Sequence, residues 1–187
     1  MSKIRKKRSR GKSKGNSFER AVSKLFDTWW GVPKNTFWRT VLSGGWVEPG
    51  DIAPRARVGE GVVWWPFIVE CKFYKSFSVL DALEGNKTAH LLKWWKQLTF
   101  ERENAIRTTA RSSENCIRLL ICKRNHGSIL VGISNEDLNW SDTSSLCFPR
   151  VELSYDETSF ILCRWEDFSK IYNQHVIRTL VSSLGKK

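Results

Sequence analysis

The chain has 187 residues, 41% of them hydrophobic, and a formal net charge of +12. That length favours one domain with a real core. No apolar run approaches the roughly 18 residues that cross a bilayer, and the charged N-terminus has no apolar segment behind it, so a membrane span and a secretory signal are excluded and a soluble, cytoplasmic protein is expected.

The basic excess points to a polyanionic partner, and its distribution is uneven. Residues 1–14 hold Lys3, Arg5, Lys6, Lys7, Arg8, Arg10, Lys12 and Lys14 and no acid. This segment is poor in apolar residues and rich in Ser, Gly and like charge, so it is expected to be disordered on its own. Its plain reading is a solubilising or targeting tail; the functional reading is phosphate binding without regard to sequence, through Lys12 and Lys14 among others. Residues 15–187 are expected to form a single domain, with a core over about 15–133 and a C-terminal extension over 134–187.

Lys14-Gly15-Asn16-Ser17 reads as a breaker and cap. Phe18, Ala21, Val22, Leu25, Phe26 and Trp29 then recur at helical spacing, to a stop near Gly31-Val32-Pro33. Phe37–Leu42 reads as a strand, broken at Ser43-Gly44-Gly45, and Gly50-Asp51-Ile52-Ala53 opens another. After a loop or hairpin turn over 54–61, the apolar run Val62–Val69 reads as a buried strand ending in Glu70-Cys71-Lys72. A long helix is expected over about 88–111, with Leu91, Trp94, Trp95, Leu98, Ala105 and Ile106 on one face. Cys116–Cys122 and Ser128–Ile133 form a hairpin across Asn125-His126-Gly127. A later strand covers Phe160–Cys163, and Trp165 to about Leu180 is expected to be helical. Helix, three strands, helix, strands, helix is an α/β order: a central sheet flanked by helices.

The five cysteines lack C-x-x-C spacing, which argues against a zinc site and fits a reducing compartment. His90 and His126 have no second ligand at convincing spacing. The tryptophans at 94 and 95 read first as core, with stacking on exposed bases as the alternative.

The chemistry concentrates elsewhere. Glu70 and Lys72, two apart on a strand, point to one face. Asp51 lies nineteen residues upstream of Glu70. If their strands are neighbours, Asp51 and Glu70 supply the one or two carboxylates with which Mg²⁺ (or Mn²⁺) is commonly held beside a phosphate. Such a metal lowers the pKa of a bound water and neutralises charge on phosphorus. Lys72 would orient or deprotonate the attacking water, or stabilise the charged phosphorus centre. Glu19, on the first helix, would reach the same metal. Glu70 and Lys72 alone could equally be an exposed ion pair of little worth. Arg39, Arg55, Arg57 and Lys75 flank the proposed site as phosphate contacts or as solvated surface. Asp81, Glu84, Glu101 and Glu103 need no role.

The motif order Lys14-Gly15-x-x-x-Glu19-Arg20, then Arg39 with Ser43-Gly44, then Gly50-Asp51-Ile52, then Val69-Glu70-Cys71-Lys72, resembles the PD-(D/E)xK nuclease superfamily. Within it the chain looks most like archaeal-type Holliday-junction resolvases and related phage endonucleases, over about residues 14–133. The Pro of the motif is displaced to Pro49-Gly50, and residues 134–187 match nothing in the resemblance. It implies a restriction-endonuclease-like core with a mixed central sheet. It also implies metal binding by Glu19, Asp51 and Glu70, a catalytic Lys72, and a Ser43 loop near the site. Trp94-Trp95-Lys96-Gln97 followed by Lys123-Arg124-Asn125 is similar to phage-type members, in which Gln97 would face the site. Arg20, Arg39, Lys75 and Gln97 join Lys12 and Lys14 as expected DNA contacts.

The function expected is Mg²⁺-dependent hydrolysis of phosphodiesters in DNA, with preference for branched DNA such as Holliday junctions. The alternatives are a general phage-type endonuclease, a non-catalytic nucleic-acid-binding protein and a ribonuclease. Resolvases of this type act as symmetric dimers, so a homodimer is expected. Trp29, Trp30, Trp94 and Trp95 are candidates for its apolar patch.

Overall fold

The computed structural model describes residues 10–40, 49–55, 63–109, 116–138, 148–155 and 158–184. In chain order these form α1 (Arg10–Trp29), β1 (Phe37–Arg39), β2 (Ile52–Pro54), β3 (Phe67–Tyr74), α2 (Val79–Leu83) and α3 (His90–Thr109). They continue as β4 (Ile117–Arg124), β5 (Ile129–Ile133), α4 (Asn135–Leu138), β6 (Arg150–Tyr155), β7 (Thr158–Arg164), α5 (Trp165–Ile171) and α6 (Gln174–Leu184). A five-stranded mixed sheet in the order β3-β4-β5-β7-β6 runs through the centre, and β1-β2 form a small antiparallel pair beside it. The expected α/β, restriction-endonuclease-like architecture is what the chain adopts. No helix among the described residues is long and apolar enough to cross a membrane.

Only the β3–β4 pairing is parallel within the large sheet, and it aligns Phe67 with Ile117 through to Tyr74 with Arg124. Parallel neighbours need a crossover, which α2 and α3 supply. The period-two pattern of β3 then sends its side chains to two cores. Phe67, Val69 and Cys71 join Phe18, Val22, Phe26 and Trp30 of the α1 side, together with Trp165, Phe168, Tyr172 and Ile177. Ile68 joins Leu91, Leu92, Trp94, Trp95 and Leu98 of α3 on the other side. The sheet is thus sandwiched between α1, α5 and α6 on one face and α2 and α3 on the other.

Several expectations are corrected. The first helix begins at Arg10, not at Asn16 or Ser17. Lys14 donates to the Asn125 carboxamide in the β4–β5 turn, and its ammonium lies 4.1 Å over the Phe73 ring. These tertiary contacts hold the basic segment from Arg10 onward in helix despite Gly15. Residues 1–9 of the expected tail lie outside the described residues. The strand that carries Glu70 and Lys72 starts at Phe67 rather than Val62, because Trp64 and Trp65 pack against Trp30 and Phe26 in an aromatic cluster instead of joining the ladder. It also runs on past Lys72 to Tyr74, so Glu70-Cys71-Lys72 is interior to the strand. The single C-terminal helix is two, α5 and α6. The extension over 134–187 adds β7 and β6 to the same sheet.

The tryptophan patch is also corrected. Trp30, Trp94 and Trp95 are buried. Trp29 packs within the aromatic cluster, and its indole N–H donates to the Tyr172 carbonyl at 2.6 Å. A second structural device is buried on the opposite side. The Asp137 carboxylate accepts from the Arg118 backbone N–H and Nε, both at 2.9 Å, tying α4 to β4.

Candidate active site

Asp51 reaches the site along the open edge of β3. Its N–H donates to the Val69 carbonyl at 2.7 Å, and its Oδ2 accepts the Cys71 N–H at 2.8 Å. One short segment therefore satisfies two edge groups of β3 and fixes the carboxylate between them. Gly50 makes this approach feasible. It has φ +86°, and a Cβ there would stand 2.8 Å from both the N and the O of Val69.

Glu70 and Lys72 share with Ile68 the face of β3 turned to α3. Glu70 is only 3% exposed. Its Oε1 pairs with the Lys72 ammonium. Lys72 also donates to Gln97 Oε1 at 3.1 Å, and Gln97 Nε2 donates to Glu70 Oε1 at 3.1 Å and to Glu101 Oε1 at 3.0 Å. Gln97 thus faces the site and links β3 to α3.

The electrostatics of this cluster are dominated by buried carboxylates. Burial pushes the Glu70 carboxyl up to about 8, with Asp51 and Glu101 adding to the rise and Lys72 opposing it. Burial also lifts Asp51 to about 6, aided by Glu19 and Glu101 and opposed by the Cys71 N–H and Lys72. For Lys72, burial acts to depress the ammonium, but the Glu70 and Asp51 carboxylates outweigh it and the net shift is upward. Three carboxylates, at 51, 70 and 101, face one ammonium. Fully ionised, the group has an excess of two negative charges in a desolvated place, a demand that a divalent cation meets. Asp51 and Glu70 offer only oxygen donors, which suits Mg²⁺ or Mn²⁺.

Not every expected residue joins them. Glu19 pairs with Arg39; it is near enough to raise Asp51 but is not gathered into a common ligand set. Among the described residues, no three His, Cys, Asp or Glu side chains converge as a metal-binding group. Arg20 is exposed on α1, and Lys75 is exposed one residue beyond β3. The Arg55 guanidinium lies 4.6 Å over the Trp38 ring. Ser43 and Arg57 fall outside the described residues, as does the side chain of Lys12. Cys71, Cys116, Cys122 and Cys163 are each buried. Glu101 is a member of the cluster to which the sequence pattern assigned no role. Its signal was its place four residues after Gln97, one turn along the same helix face.

The profile of the phage putative PDDEXK endonuclease family matches residues 10–178, which span every element from α1 to β7 and α5 and enter α6. No curated protein and no solved structure matches the chain.

Proposed function

From the premise that this chain belongs to the phage putative PDDEXK endonuclease family, we propose that it hydrolyses phosphodiester bonds in DNA with a divalent cation, Mg²⁺ or Mn²⁺, held by Asp51 and Glu70. The observation that carries this reading is the pair of desolvated carboxylates, each lifted by burial and by neighbouring negative charge. A bound cation supplies a water of lowered pKa and neutralises charge gathering on the phosphate.

The chain's own residues do the rest. The Cys71 N–H holds the Asp51 carboxylate in place, and Gln97 holds Glu70. The Glu70 and Asp51 carboxylates lift Lys72 above its ordinary value, and as an ammonium it would act as a donor to the charged phosphate. The water oxygen forms the new bond to phosphorus and gives one proton to solvent, the bridging P–O bond breaks, and the leaving oxygen takes up one proton from solvent. Glu19, now paired with Arg39, would help hold the cation from α1 if that pair opened. Arg39, released toward the phosphate, would join Lys14, Arg20 and Lys75 as a backbone contact.

The substrate we propose is branched DNA such as a Holliday junction, cut by a homodimer. Positive side chains on α1 and at the end of β3 suit phosphate geometry rather than base edges. The test is nicking of linear, nicked, flapped and four-way DNAs by purified protein with Mg²⁺ or Mn²⁺, alongside light scattering. Asp51→Asn and Glu70→Gln should reduce cleavage to background while retaining DNA binding, because an amide keeps the shape and loses the charge. Lys72→Ala should lower the rate on the order of 10²-fold or more. Full activity in either carboxylate variant rejects the site. A monomer that cuts linear duplex as fast as junctions rejects the branched substrate and leaves the nuclease.

A further inference from the structure

An aromatic platform lies beside the proposed metal site and belongs to no part of it. Glu70, Lys72 and Tyr74 share one face of β3, so Tyr74 stands two residues, roughly 7 Å, beyond Lys72. On α3, Gln97, Trp94 and His90 recur at near-helical spacing and run alongside. The Tyr74 ring lies 4.9 Å from both the His90 and the Trp94 rings, and His90 is stacked on Trp94 at 5.5 Å. Trp94 is buried and explained as core, with Phe77 against it. Tyr74 is 42% exposed and His90 is exposed, so two rings present surface to solvent on a rigid indole base.

Next to this platform opens a cleft of about 450 Å³, lined by Ser76, Ser78, Asp81, Thr88 and His90 together with Phe77 and Ala89. No Lys or Arg lines it. A carboxylate and hydroxyls repel or weakly hold a phosphate, but they accept hydrogen bonds from the amino and ring N–H groups of a nucleobase. An aromatic face beside such a cleft is the combination by which proteins hold unpaired bases.

We infer that Tyr74 and His90 stack on the unpaired base of a nucleotide adjoining the scissile phosphate, with the edge of that base in the Ser78–Asp81–Thr88 cleft. The inference rests on the nuclease reading for the identity of its ligand. It gives the site a preference for DNA whose bases are unstacked near the cut.

The experiment uses full-length protein without divalent metal and short single-stranded DNAs carrying 2-aminopurine at successive positions. Wild type should quench the fluorophore at one or two positions, and Tyr74→Phe, which keeps the ring, should do the same. Tyr74→Ala should abolish that quenching and bind about tenfold more weakly or worse. His90→Ala should shift both readouts in the same direction and carries the test if Tyr74→Ala melts early by circular dichroism. Absence of quenching by wild type at every position overturns the inference. So does Tyr74→Ala with wild-type quenching and affinity. Failure of the nuclease reading is a separate outcome: wild type with Mg²⁺ or Mn²⁺ nicks no DNA, whatever the quenching shows.

Discussion

At the scale of single residues, the site is a place of electrostatic conflict. Asp51 is lifted from 3.8 to about 6 and Glu70 from 4.5 to about 8. A carboxyl whose folded pKa lies above its unfolded one binds more protons folded than unfolded across the interval between them. Stability therefore falls as pH rises through that interval. Lys72 stays protonated in both states over the same range and adds no slope. In the metal-free protein these two groups should lower the melting temperature as pH rises from 3.8 to about 6 for Asp51 and from 4.5 to about 8 for Glu70, and should add no slope above that. Glu70→Gln removes the larger shift, so its melting profile should be flatter over that range and its melting temperature higher than wild type at the alkaline end. Thermal melts in chelator across pH measure this, and a variant with the wild-type slope would contradict the electrostatic account. Mg²⁺ should stabilise wild type more at the alkaline end than at the acid end, since the cation competes with protons for the same oxygens. The Glu70–Lys72 pair was legible in sequence because strand periodicity alone puts residues two apart on one face. Glu101 was not, because its place depends on how α3 is rotated over β3, which no local pattern records.

At the scale of elements, the fold was legible where one period dominated. The hydrophobic faces of α1 and α3 and the apolar runs of β4 and β7 gave the right element types. Misreadings arose where tertiary contacts overrode local signals. Gly15 reads as a breaker, yet α1 runs through it because Lys14 is held by Asn125 and Phe73. The break between α5 and α6 did have a local signal, since Asn173 Oδ1 caps the Val176 N–H at 3.1 Å. In β6, Val151 and Leu153 alternate with polar neighbours, a short edge-strand pattern that is weak until paired with β7. Two glycines make opposite predictions. At Gly15 an added Cβ meets nothing nearer than Glu19 Oε1 at 3.9 Å, so Gly15→Ala should stabilise α1 by about 0.5–1 kcal/mol. At Gly50 the same methyl meets Val69 N and O at 2.8 Å and the φ is +86°. Gly50→Ala should cost about 1–3 kcal/mol from the strained backbone alone. It should also lower cleavage by the protein that remains folded, because Asp51 loses its seat on β3. Denaturant titrations and cleavage per folded molecule test the pair. Equal effects of the two substitutions would reject this account of how Asp51 is positioned.

At the scale of the whole molecule, the net charge of +12 is concentrated at the N-terminal end of the chain. The structure divides the basic segment in two. From Arg10 onward it belongs to α1, and Lys14 is anchored to the β4–β5 turn. A deletion meant to test the tail must therefore stop before Arg10, or it will remove part of the fold along with the charge. Residues 1–9 hold Lys3, Arg5, Lys6, Lys7 and Arg8 and no acid. Each phosphate neutralised by such a side chain releases counterions and adds about 0.9 to the slope of log affinity against log salt on duplex DNA. If these five residues track the backbone, deletion of 1–9 should weaken binding most at low salt, and the slope should flatten by about 0.9 for each phosphate that is no longer neutralised. Cleavage at saturating protein should persist, since Asp51, Glu70, Lys72 and Glu19 remain. Binding isotherms at several salt concentrations, paired with single-turnover cleavage, separate affinity from chemistry. An unchanged slope would mean that the first nine residues do not touch DNA, and would leave α1 and the end of β3 to hold the phosphates.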